Sequence, residues 1–275
     1  MSAVSQMGSQ IECRKLGVGV AKGPRLATVD VQIQAGRFTA ILGPNGAGKS
    51  TLMSMLVGER APQAGQVLLD GVELASHPVE RLARRRSVMP QDCSVAFDFT
   101  AQEVVELGRY PHRNQPGAEE AQIPAEAMAL TGVDHLAQRS INTLSGGERA
   151  RAHLARALAQ IWQAPADGAA RWLLLDEPTA ALDLAHQHHA MRLLRDWASE
   201  RGVGVVAVLH DLNLALRYAD DVLVLGGAAG VSWGATQEVL QPELIQRVWD
   251  MQCDPVRSSD GALQYLFVAG SAIAA

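Results

Sequence analysis

Residues 43–51 read Gly-Pro-Asn-Gly-Ala-Gly-Lys-Ser-Thr, and no other stretch limits the folds open to this chain so narrowly. Gly43, Gly46 and Gly48 allow positive dihedrals and close backbone approach, so that successive N–H groups turn toward one anion. Pro44, Asn45 and Ala47 complete the loop. The apolar run Phe38–Leu42 precedes it and a helical pattern follows from Lys49, which predicts a strand, a phosphate cradle and a helix whose positive end faces the same anion. In such a cradle Lys49 reaches the terminal phosphates, Ser50 ligates Mg²⁺ and Thr51 bonds a neighbouring phosphate.

The rest of the chain is compatible with that start. It has 275 residues, 48% of them hydrophobic and 19% charged, an ordinary globular composition. Phe38–Leu42, Trp172–Asp176, Val203–Leu209 and Asp221–Leu225 are short, dense apolar runs, as strands covered on both faces should be. After Gly147, Leu154, Ala157, Leu158 and Ile161 recur at helical spacing. Strands alternating with helices predict an α/β fold with a largely parallel sheet. From about residue 92 to 143 the helical patterns continue without a strand, which predicts an inserted helical subdomain.

The net charge of -5 and the lack of a basic tail argue against nucleic acid as a partner. The one dense basic run, Arg84-Arg85-Arg86, is expected to be a solvated helix end. Cys13, Cys93 and Cys253 have no metal-ligand spacing and are expected to be reduced thiols. No apolar run approaches the roughly 18 residues of a membrane span, and the first residues lack an export signal. The chain is therefore expected to be soluble, held at any membrane by another protein.

Asp176 and Glu177 bear on whether a bound nucleotide is cleaved. Asp176 ends an apolar strand at the carboxyl edge of the sheet, where Mg²⁺ beside the phosphate loop would lie. Glu177 is placed to act on a water in line with the γ-phosphate, and Pro178 fixes the turn that follows.

The remaining landmarks resemble a family. Leu144-Ser145-Gly146-Gly147-Glu148, lying between the phosphate loop and the Asp176–Glu177 strand, is similar to the signature of ATP-binding-cassette (ABC) ATPases. Gln91 resembles that family's Q-loop glutamine, Ala181-Leu182-Asp183 its D-loop and His210 its switch histidine. The resemblance runs from about residue 10 to 250 with every motif in family order. It implies a P-loop NTPase fold with a mostly parallel central sheet, an N-terminal antiparallel β portion and the inserted helical subdomain. The ABC domain then spans residues 1–250 and a short C-terminal extension spans 251–275. It also implies ATP as substrate with Mg²⁺ held by Ser50, Gln91 and Asp176, and Glu177, His210, Lys49 and Gln91 as the catalytic group. Ser145, Gly146, Gly147 and Asp183 would act across a dimer, on ATP bound by a second copy of the chain. The family's usual adenine-stacking aromatic has no equivalent, its nearest match being Val20.

Phe99–Arg113, which contains Gly108-Arg109-Tyr110-Pro111-His112, resembles importers of ferric siderophores, haem and vitamin B12. The longer connection Trp162–Arg171 and the pair His186-Gln187 resemble the haem importers of that group, with siderophore or B12 import as the alternative and a non-transport ABC ATPase a more distant one. The resemblance implies two copies of a multi-span permease and, indirectly, a periplasmic substrate-binding protein as partners. The chain would lie at the cytoplasmic face of the bacterial inner membrane. His186, His188 and His189 read as an exposed polar helix rather than a metal site. Residues from Met251 read as a hairpin turning at Asp260-Gly261.

Overall fold

Alternation along the core strands divides their side chains between two faces. In the structure, a computed structural model that describes residues 8–19, 25–91 and 97–268, Phe38, Ala40 and Leu42 join one hydrophobic cluster and Ile41 another. Leu173 and Leu175 likewise face away from Trp172 and Leu174, as the two-residue period of a strand requires. Both faces are covered, so the strands read in sequence as unbroken apolar runs.

The strands are β1 (Gln10–Gly19), β2 (Arg25–Gln34), β3 (Phe38–Leu42), β4 (Gln66–Leu69), β5 (Val72–Glu73), β6 (Arg86–Met89), β7 (Trp172–Asp176), β8 (Gly204–Val208), β9 (Asp221–Leu225), β10 (Val231–Ala235), β11 (Gln252–Arg257) and β12 (Leu263–Val268). The helices are α1 (Lys49–Val57), α2 (Val79–Arg85), α3 (Ala101–Leu107), α4 (Ile123–Thr131), α5 (Gly146–Gln160), α6 (Leu184–Arg201), α7 (Leu212–Tyr218), α8 (Thr236–Val239) and α9 (Pro242–Trp249). The central sheet has the order β10-β9-β3-β8-β7-β6, parallel except for the β9–β10 pair. A second, antiparallel sheet, β2-β1-β4-β5, shares a core with α1. β11 and β12 form a separate antiparallel hairpin turning at Asp260-Gly261. The fold is α/β, with the parallel sheet at its centre and the antiparallel portion toward the N-terminus.

Helix α5 joins the central sheet to the helical layer. Leu154, Leu158 and Ile161 enter the sheet core, while Ala152, Ala155 and Ala159 face a third cluster with Val104, Val105, Ile123 and Met128 of α3 and α4. Alanines on that side let neighbouring backbones come close. Gly108 is the extreme case, since a Cβ there would lie 2.4 Å from Arg156 O.

The basic run Arg84–Arg86 is not a solvated helix end. Arg84 Nε donates to Pro111 O at 3.0 Å, and Arg85, almost fully buried, donates to Asp70 Oδ2 at 2.5 Å and Ala170 O at 3.2 Å. Arg86 is largely enclosed, and burial lowers the pKa of its guanidinium. These arginines tie α2 and β6 to distant segments, a role that a local charge count does not reveal. Cys13 and Cys253 are free thiols, with Cys13 pushed up to about 12 by burial, while Cys93 and Val20 lie outside the described residues.

Candidate active site

The loop between β3 and α1 has the conformation its glycines allow. Gly43, Gly46 and Gly48 have φ of 149°, 78° and 98°. A Cβ on Gly43 would lie 2.3 Å from Leu225 O, and one on Gly48 would lie 2.8 Å from Val18 Cγ1, so neither position has room for a side chain. Asn45 and Gly46 form the exposed tip, while Ala47 is buried and its N–H donates to Pro44 O at 3.2 Å. Lys49, the first residue of α1, folds back so that Nζ donates to Gly43 O at 2.9 Å and Pro44 O at 3.1 Å. Burial lowers its pKa, opposed by Glu177 and Asp176. Ser50 and Thr51 lie in the same first turn.

β7 carries the acidic pair to the carboxyl edge of the central sheet, beside this loop. Ser50 Oγ and Asp176 Oδ1 are 3.5 Å apart. Burial raises the Asp176 pKa above its ordinary value, the adjacent Glu177 adds to the rise, and the Ser50 hydrogen bond opposes it. Glu177 has a left-handed φ of 54°, a conformation that costs a side-chain-bearing residue about 1–3 kcal/mol. Both of its oxygens have partners. His210 Nε2 lies 2.6 Å from Oε1, and Gln91 Nε2 donates to Oε2 at 3.0 Å. Gln91 follows β6 by two residues and His210 follows β8 by two, so three adjacent parallel strands deliver Gln91, Glu177 and His210 to one place.

The donor set suits Mg²⁺. A serine hydroxyl, one carboxylate and a carboxamide oxygen are hard oxygen ligands, and this ion takes few protein ligands beside the phosphates of its nucleotide. Asp176, its charge raised in energy by burial, would gain from an adjacent cation. Among the described residues there is no cluster of three His, Cys, Asp or Glu side chains that could hold a metal.

The LSGGE run opens α5 through a capping box. Glu148 N donates to Ser145 Oγ at 3.3 Å, and Ser145 N donates to Glu148 Oε2 at 2.8 Å. Gly146 and Gly147 keep first-turn N–H groups for which the helix has no carbonyl. The two glycines pack on the D-loop of the same chain, where a Cβ on Gly147 would lie 3.0 Å from Ala181 O. Asp183 caps α6, accepting from His186 N at 2.9 Å, and is paired with His186 Nδ1 at 2.8 Å. Gln187 Nε2 donates to Thr179 O at 3.2 Å and Leu182 O at 3.0 Å, fastening the D-loop turn from within α6. That role is not legible from the sequence pair His186-Gln187. Among the described residues no hydrogen bond joins Ser145–Gly147 or Asp183 to residues 43–51.

The histidines of α6 diverge. His186 bonds Asp183, His188 Nδ1 lies 2.8 Å from Tyr218 OH, and His189 Nε2 donates to Leu130 O at 2.8 Å. The Gly108–His112 run also makes structural contacts: Arg109 pairs with Glu120 at 2.8 Å, and His112 Nε2 donates to Gln160 O at 2.8 Å.

A glycine cradle at a strand–helix junction, with a carboxylate pair at the next strand edge but one, defines a P-loop nucleoside triphosphatase cassette. The family profile described as ABC transporter matches residues 26–180. The chain is 48% identical over 239 residues to hemin import ATP-binding protein HmuV of Gloeobacter violaceus, covering 86% of each. It is 45% identical to the HmuV of Myxococcus xanthus, covering 90% of this chain and 92% of that one. Among solved structures it resembles a metal-chelate type ABC transporter in an inward-facing conformation, with TM-score 0.78, 26% identity and coverage of 96% of this chain and 98% of the other. It also resembles a dimeric ATP-binding cassette in a post-hydrolysis state with ADP and Pi, with TM-score 0.70, 26% identity and coverage of 82% and 98%. The chain belongs to the ABC transporter family. It is an ATP-binding subunit of the class whose ATP hydrolysis drives transport.

Proposed function

We propose that this chain is the ATP-hydrolysing subunit of a bacterial haem importer. The observation that carries the chemistry is the Glu177 carboxylate held between His210 and Gln91, beside Asp176, Ser50 and Lys49. ATP sits with its phosphates on Gly43–Thr51, where Lys49 leaves its two loop carbonyls for the terminal phosphates. Ser50, Asp176 and Gln91 would hold Mg²⁺, which would supply positive charge against the phosphates. Glu177 accepts a proton from the attacking water as it adds to the γ-phosphorus in line with the departing ADP. Lys49 and His210 stabilise the charge that accumulates on the equatorial oxygens. Ser145, Gly146, Gly147 and Asp183 of a second copy close over the nucleotide, so the working unit is a dimer.

The helical layer, with a subdomain at about residues 92–143, transmits closure to a permease. A cavity of about 710 Å³ lined by Leu74, Val79, Leu82 and Arg86, with Arg156 and Gln160 of α5 on its far side, supports a docking face beside α2, next to the helical layer. Val79 is 81% exposed, and Tyr110, 60% exposed, projects from the turn that Arg84 bonds to α2. No helix among the described residues is long and apolar enough to cross a membrane, so two copies of a multi-span permease would hold a pair of these chains at the cytoplasmic face of the inner membrane. A periplasmic binding protein would select the substrate. Haem is favoured by the names of the similar ATP-binding proteins and by the Trp162–Arg171 connection.

Glu177→Gln is expected to retain ATP binding and dimer closure and to lose hydrolysis by about 10²–10⁴-fold, measured as phosphate release. Cells whose only copy carries this change should fail to grow on haem as sole iron source. Normal growth on haem would remove the haem assignment, and a parallel ferric-siderophore culture would then show whether iron-chelate import survives as the reading.

A further inference from the structure

Hairpin β11–β12 lies outside the ATP-handling motifs, yet it grips the helix that begins next to His210. Asn213, in the first turn of α7, pairs with β12 as a strand residue would: Nδ2 donates to Tyr265 O at 3.1 Å, and Tyr265 N donates to Asn213 Oδ1 at 2.7 Å. Tyr265 is buried, and its hydroxyl donates to Leu240 O at 2.7 Å. The backbone of Asn213 meanwhile donates to Asp211 Oδ1 at 2.7 Å, as does that of Leu214 at 3.0 Å, closing the cap immediately after His210. At the other end of α7, Arg217 is bonded to Asp260 in the hairpin turn. Contacts from α6 also fall at this far end, where Arg195 Nη1 donates to Arg217 O at 3.0 Å and His188 meets Tyr218.

A seven-residue helix cannot hold its own position in water, because nucleation is costly and few bonds repay it. Core packing of Leu212 and Leu214 and the β8 strand bring its first turn and His210 to the sheet edge, and the bonds from β12 to the Asn213 side chain add a directional tie at that turn. We infer that the β11–β12 hairpin is a clamp that sets the position of His210 against Glu177, with Asn213 as the positioning residue. The path is short: Tyr265 backbone, Asn213 side chain, Asn213 N–H, the Asp211 cap, and then the His210 ring 2.6 Å from Glu177 Oε1. The inference rests on the reading of His210 as a transition-state group given above.

Steady-state ATPase of the purified 275-residue chain, with binding of a fluorescent ATP analogue measured separately, tests it. Asn213→Ala is expected to lower kcat by about tenfold while KM and analogue binding stay within about twofold, since a displaced catalytic group loses rate rather than ground-state affinity. Asp260→Ala, a change at an exposed turn that leaves the core intact, should lower kcat in the same direction by a smaller factor. Equal losses of binding and turnover, or wild-type kcat in both variants beside a strongly impaired His210→Ala, would overturn the clamp alone. Wild-type turnover in His210→Ala would remove the reading of His210 and this inference with it.

Discussion

Asp176 is held in a conflict that its ligand would resolve. Burial raises its pKa, so in the folded chain it binds a proton more tightly than in the unfolded one. Stability therefore falls as pH rises from the ordinary carboxylate range through the raised value, and the electrostatic cost is complete only above it. Asp176→Asn removes the charge and keeps the shape. It is expected to raise the melting temperature of the nucleotide-free chain by about 2–4 °C near neutral pH while reducing Mg²⁺-dependent ATP hydrolysis by at least about 10²-fold. A fluorescence melt and a phosphate-release assay on the same sample check both halves. At this scale the sequence discloses what is local: the phosphate loop is one contiguous run, and its glycines have the dihedrals their pattern implies. It does not disclose partners fixed by topology. The Gln91–Glu177 contact spans 86 positions, and Arg85 finds Asp70 and Ala170 only because separate segments fold together. Asn213 reads as a polar helix residue until its pairing with β12 is seen.

Among the elements, the strands of the parallel core are the most legible. Phe38–Leu42, Trp172–Asp176 and Asp221–Leu225 have in the structure the bounds that their apolar runs mark. The antiparallel sheet is implied by the family resemblance, and in β2 Val29, Val31 and Ile33 are buried while Asp30 and Gln32 are exposed, the alternation of a half-buried strand. The turn after α3 carries a constraint that the sequence shows only as the letters Gly108-Arg109. Gly108 has an ordinary helical backbone, so its need is not for a positive φ; it sits against the α5 backbone, 2.4 Å from Arg156 O to a would-be Cβ. Arg156 in turn donates to Val88 O of β6, the strand that leads to Gln91. Gly108→Ala must push α3 from α5, at a cost of about 2–3 kcal/mol, and is expected to lower the melting temperature by roughly 5–10 °C. A melt indistinguishable from wild type would mean that this contact is not tight in solution.

In the whole molecule, the phosphate loop and the LSGGE run lie in different surroundings within one chain. Lys49, Ser50, Asp176 and Glu177 gather at the carboxyl edge of the central sheet, whereas Ser145–Gly147 pack on Ala181 with first-turn N–H groups to spare. If each nucleotide is held between the loop of one copy and the LSGGE of the other, two different lesions should complement. Lys49→Ala disables both loops of its homodimer, and Ser145→Arg blocks both signature helices of its own. A mixed dimer contains one site in which the intact loop of the second variant meets the intact LSGGE of the first. Each variant alone is expected to be inactive. Equal mixing should restore turnover to about a quarter of wild type, because half the dimers are mixed and each has one working site of two. Phosphate release from the mixture measures it directly. No recovery, in a mixture shown by crosslinking to exchange subunits, would mean that hydrolysis needs both sites intact or that each chain closes its own, and the first outcome would still be distinguishable because ATP would then lock the mixed dimer without turning over.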